Sequence, residues 1–94
     1  MPTYIMLSTL TDEGARTLKE NPKRLQEVNK EIEKFGAKVT GQFAVLGPYD
    51  FVSIVEAPDN EAIARISAEL HARGSVRILT LPGIPVANFV RSLK

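Results

Sequence analysis

The apolar positions change their period along the chain, and the changes mark out its elements. From Thr3 to Thr9, β-branched, aromatic and long aliphatic side chains follow one another, which suits a strand. Thr11 then stands where a helix cap is needed. Asp12 and Glu13 follow in what would be a first turn, where acidic groups favour the helix dipole, and Gly14 weakens that helix. Asn21-Pro22 reads as a second helix start, with Asn21 as cap and Pro22 at the first helical position. From there Leu25, Val28, Ile32 and Phe35 recur at spacings of three and four, a single apolar stripe that Gly36 is placed to end.

The second half repeats the alternation of strand and helix. Lys38 to Leu46 reads as a strand with a bulge at Gly41, and Phe51 to Ala57 as another. Gly47 to Asp50 joins them as a hairpin corner, since proline pre-sets φ and aspartate accepts turn geometry. Pro58-Asp59 opens a helix with Ile63, Ile66 and Leu70 inward and Gly74 at its end. Ser75 to Leu81 is a fourth strand, broken by Pro82-Gly83-Ile84-Pro85. A short last helix is expected to turn Val86, Phe89, Val90 and Leu93 inward. The order is βαββαβ, an α+β, ferredoxin-like arrangement: a four-stranded antiparallel sheet with its helices on one face. The whole of residues 1–94 reads as a single domain.

The strands carry a second message. A sheet covered on one side alternates apolar and polar residues. Tyr4-Ile5-Met6-Leu7, Phe51-Val52-Ser53-Ile54-Val55 and Val76-Arg77-Ile78-Leu79 instead put apolar groups on both sides. Leaving that surface bare costs about 25 cal/mol per Å². A second copy of the same sheet is the expected cover, giving a homodimer or higher homo-oligomer of the dimeric α+β barrel type.

Composition narrows the chemistry. Twelve basic residues against eleven acidic give a net charge of +1, which argues against nucleic-acid or membrane binding driven by bulk charge. Cysteine is absent, and no His/Cys/Asp/Glu cluster has metal-ligand spacing, so neither thiolate chemistry nor a metal centre is expected. There is no glycine-rich phosphate loop, and no cofactor is expected. The start of the chain lacks the basic and long apolar regions of a signal peptide, which fits a cytoplasmic protein.

The groups with chemical potential are few: Tyr4, Tyr49, Asp50, Glu56, His71 and Arg77. His71 falls late in a helix, where it reads as a surface residue or a partner of the helix dipole. Arg77 and Glu56 interrupt apolar strands. Either they reach solvent at a rim, or one of them lines a cavity between two sheets and fixes a ligand. Gly47-Pro48-Tyr49-Asp50 has the same two readings. As a corner, Asp50 accepts backbone N–H groups. As a site, its carboxylate would receive an ammonium group beside a tyrosine wall at a subunit interface.

Three segments carry a family resemblance: "PTYIMLSTLTDEGARTLKENPKRLQEV", "GPYDFVSIVEAPDNEAIA" and "GSVRILTL". Together they resemble the GYD-domain proteins over nearly the whole chain. The resemblance implies a ferredoxin-like fold, oligomers built through the sheet, and no assigned activity. A more distant similarity is to the effector-sensing domain of the leucine-responsive/asparagine regulator family, where amino acids bind near subunit interfaces. Gly47, Tyr49 and Asp50 are the matching positions, and the DNA-binding module of those regulators has no counterpart here. On these grounds the expected function is an oligomeric domain holding a small metabolite at an interface, with Gly47, Tyr49, Asp50, Tyr4 and Arg77 as its residues. The alternative is a cofactor-free enzyme with a cavity between the two sheets.

Overall fold

A computed structural model describes residues 1–94. The elements follow in the order β1 (Thr3–Leu10), α1 (Asp12–Glu20), α2 (Arg24–Lys34), β2 (Lys38–Ala44), β3 (Phe51–Glu56), α3 (Asn60–Ala72), β4 (Val76–Gly83) and α4 (Val86–Ser92). The four strands form one sheet in the order β2-β3-β1-β4, every neighbouring pair antiparallel. This is the ferredoxin-like α+β arrangement that the sequence pattern predicts.

Register sorts the strand residues into two faces. Tyr4 lies opposite Val55 and Met6 opposite Ser53, and these four are buried against helices. Ile32 of α2 and Ile63, Ile66 and Leu70 of α3 complete that core with Ala37 and Ala57. The stripe on α3 therefore does most of the covering, and Val55 and Ile66 are wholly enclosed. On the other face Ile5 opposes Ile54 and Leu81, Leu7 opposes Val52 and Leu79, and Phe43 opposes Val52. No element of this chain covers them, and Phe43, Leu79 and Leu81 are 59%, 48% and 43% exposed.

Local capping agrees in part with the pattern. Thr11 caps α1, its hydroxyl accepting from Gly14 N–H at 3.1 Å, and Asp59 caps α3 through Ala62 N–H at 2.8 Å. Gly36 and Gly74 follow α2 and α3 with φ of 88° and 75°, the left-handed turn expected of them. The register between β2 and β3 shifts between Val39 and Gly41, which is the expected bulge.

Several expectations give way. Asn21 does not cap α2: its backbone N–H closes the last turn of α1 on Thr17, and α2 begins at Arg24 with no side-chain cap. Phe35 lies past the end of α2 and is 40% exposed, because the helix stops one residue short of the stripe's last position. The second strand stops at Ala44, leaving Leu46 fully exposed. The fourth runs through Pro82 to Gly83, which an edge strand allows because its outer side needs no donor.

The largest departure is α4. Val86, Phe89, Val90 and Leu93 share a stripe but point at no core, and are 75%, 51%, 48% and 70% exposed. Nothing in the chain packs extensively on this helix. The radius of gyration is 14.1 Å, against about 12 Å for a compact chain of this length.

Gly14 is needed for a reason the sequence does not show. It is buried where α1 crosses the start of β4, and a Cβ there would stand 2.0 Å from the Ser75 carbonyl oxygen. Thr11 fastens the same crossing, with its N–H on Ser75 O and its hydroxyl on Gly74 O. Gly14→Ala must push backbone from backbone and is expected to cost about 1–3 kcal/mol in denaturant unfolding, despite alanine's better helix propensity. Gly41→Ala, whose Cβ would meet only the Ile54 side chain at 3.6 Å, provides the mild comparison.

Candidate functional site

The Gly47–Asp50 corner is tied into the sheet by Asp50. Its backbone N–H donates to Ser8 O at 2.8 Å, its carbonyl accepts from Val45 N–H at 2.9 Å, and its carboxylate oxygen Oδ2 accepts from Leu10 N–H at 2.7 Å. The β1–β3 register ends with Ser8 opposite Phe51, so the Asp50 side chain continues past the last rung. Gly47 has a φ of 112°, which only glycine adopts freely, and turns the chain into Pro48. Tyr49 is half-buried beside it. A charged acceptor on a strand-end amide is a strong local bond, and it occupies one oxygen of the carboxylate.

The remaining candidate residues are divided by face and by end. Arg77 lies opposite Thr9 on the uncovered face, at the end of the sheet where Leu10 meets Asp50. Glu56 lies at the opposite end of that face, opposite both Thr3 and Lys38. Tyr4 is on the covered face, 2% exposed, its hydroxyl donating to Asn60 Oδ1 at 2.6 Å. Arg77 and Asp50 thus share an end of the sheet, while Tyr4 is separated from both. Tyr4 and His71 do line one shallow groove between α3 and β4. Their polar atoms are engaged there: His71 Nε2 accepts from Ile78 N–H at 2.8 Å, which leaves Nδ1 to face Ser67 Oγ.

The more enclosed space lies elsewhere, between the α1–α2 pair and the covered face of the sheet. Its volume is about 110 Å³, with Met6, Leu18, Leu25, Val28 and Phe51 among its walls. A polar ladder lines one side: Asn29 Nδ2 donates to Gln42 Oε1 at 2.8 Å, and Gln42 Nε2 donates to Ser53 Oγ at 3.0 Å. Arg24 and Arg73 also line it, and both pair with Glu31. The hydrogen bond from Arg73, with the two guanidinium charges behind it, holds the Glu31 carboxyl below its usual 4.5. None of the six groups singled out from the sequence reaches this cavity. Its charged residues come from α2 and the end of α3, a juxtaposition without signature in local spacing.

The corner's structural task can be measured. Asp50→Ala strips Leu10 N–H of its acceptor and is expected to lower unfolding stability by about 1–3 kcal/mol, with Asp50→Asn recovering most of the loss through its amide oxygen. Tyr49→Phe should stay within about 0.5 kcal/mol of wild type.

Comparison with known proteins fits this architecture. The family model described as the GYD domain matches residues 4–93. A relative from Thermus thermophilus, 57% identical over 95 residues and matched across the whole of both chains, is named a glutamine synthetase and cystathionine beta-lyase binding protein. A crystal structure of another protein from that organism superposes with a TM-score of 0.57 at 24% identity, covering 90% of this chain and 95% of that one, a likeness of fold. The matched span runs from the first strand to the last helix and includes the Gly47–Asp50 corner, so the chain belongs to the GYD domain family.

Proposed function

We propose that this chain is a protein-binding module that pairs with a second copy of itself through the uncovered face of its sheet, and that the assembled pair holds a metabolic enzyme, either glutamine synthetase or cystathionine β-lyase. The observation that carries the reading is the bare apolar face formed by Ile5, Leu7, Phe43, Val52, Ile54, Leu79 and Leu81. At ordinary strand spacing and rise, a face of this size covers about 450 Å² in plan. The exposed stripe of α4 adds to it, and together they approach the roughly 800 Å² per partner of a stable interface.

The charges on this face suit a second copy. Arg77 stands at one end and Glu56, with Lys38, at the other. A two-fold axis across the strands keeps the two Arg77 side chains apart and sets each over the end where Glu56 and Lys38 offset one another. The named partners of the 57%-identical relative support the enzyme-binding half of the reading. In its finer form, the reading places a small metabolite between the copies near Gly47, Tyr49, Asp50 and Arg77. Arg77 is the free charge there, because Asp50 already holds Leu10 N–H.

The test is capture of the two purified enzymes by the immobilised chain at micromolar concentration. Binding of at least one is expected. Leu79→Glu, which puts a charge at the centre of the paired face, should weaken that binding about tenfold or more while the circular dichroism spectrum is retained. Failure of the wild-type chain to hold either enzyme overturns the reading.

A further inference from the structure

The cavity under α1 and α2 is unusual for so small a core. Native interiors fill space to crystal-like density and leave few voids larger than a water. A water needs about 10–15 Å³ in the measure by which this cavity has 110 Å³. The space exists because the helix pair contributes little to the core. Gly14 brings no side chain to it, and Leu18, Leu25 and Val28 are only half-buried above the sheet. Part of the wall therefore meets solvent, which gives a guest a way in. Met6 and Ile32, both buried, and Phe51 continue the apolar wall.

This wall offers a guest no desolvated charge. Arg24 and Arg73 reach its edge, but both pair with Glu31, and their side chains are 35% and 31% exposed, so water screens them. The Asn29–Gln42–Ser53 ladder is bonded within itself. The other polar groups in a largely apolar wall are the hydroxyls of Ser8, Thr17 and Ser75. An ionic guest would give up its hydration with no partner in return. An apolar guest gains the dispersion contacts that the walls now lack, and an apolar core cavity of about 150 Å³ takes up benzene. We propose that this space is a binding site for a small uncharged apolar molecule, a ring or branched chain of about five or six non-hydrogen atoms, held among Met6, Leu18, Leu25, Val28, Ile32 and Phe51. The site lies inside one subunit, across the sheet from the bare face, and needs no second copy.

Benzene is a suitable probe, followed by methyl and amide NMR of the full chain, with benzoate as its charged counterpart. Benzene is expected to shift the methyls of Met6, Leu18, Leu25, Val28 and Ile32 saturably, with a dissociation constant of about 1 mM, within reach of about six non-hydrogen atoms. Nuclear Overhauser contacts from benzene to the same methyls should place it under the helix pair. Benzoate at the same concentration should leave them unmoved. Val28→Phe, which fills the space, should weaken benzene about tenfold or more while amide dispersion shows the fold intact, and Val28→Met, a milder filling, should weaken it in the same direction. Absence of saturable shifts at these methyls, saturation confined to Leu79 and Leu81 on the bare face, equal affinity for benzoate, or unchanged benzene affinity in both variants overturns the assignment. The readout is independent of enzyme capture, so either proposal can fail without the other.

Discussion

Everything in this molecule turns on a sheet with two apolar faces and helices enough for one. Strand alternation fixes which side chains stand on which side, and a shift of one residue would exchange the faces. The covered face takes Tyr4, Met6, Ser53 and Val55, and α3 closes over it with Ile63, Ile66 and Leu70. The other face presents a block of isoleucine, leucine, valine and phenylalanine that a monomer leaves in water. α4 belongs to the same problem. A seven-residue helix is too short to hold itself in water, and its apolar stripe has nothing of its own chain to lie on. The pairing with a second copy that we propose would relieve both at once.

On the covered side, cover and anchorage are separate tasks. α3 packs, while α1 and α2 are held mostly at their margins. Gly14 lets α1 approach Ser75, Thr11 bonds across the same crossing, and Glu31 gathers Arg24 and Arg73 at the far edge. A roof fastened at its margins leaves room beneath, which is how so small a domain comes to hold a cavity. The Gly47–Asp50 corner anchors a third margin, since Asp50 binds the end of β1 from beyond the last rung of the ladder.

The sequence disclosed what local chemistry decides. The strand and helix order, the Thr11 and Asp59 ends of helices, the bulge near Gly41 and the Ile63-Ile66-Leu70 stripe all follow from period and capping. It disclosed less where tertiary contact decides. The apolar stripe of α4 reads as inward because any such stripe does, yet no core lies beneath it. Gly14 reads as a weak helix residue, although its work is a close approach to Ser75, far along the chain at the start of β4. Of the candidate site residues, Arg77 and Asp50 share an end of the sheet, but Tyr4 is placed on the opposite face by simple parity. Arg73 and Glu31 had no signal at all, because the pair forms between the end of α3 and the middle of α2.

Sedimentation velocity of the untagged chain at micromolar concentration tests the central claim most directly. The account predicts a dimer or a larger multiple of the 10.3 kDa chain. A single species of one chain's mass, stable and soluble with its sheet face bare, would contradict it.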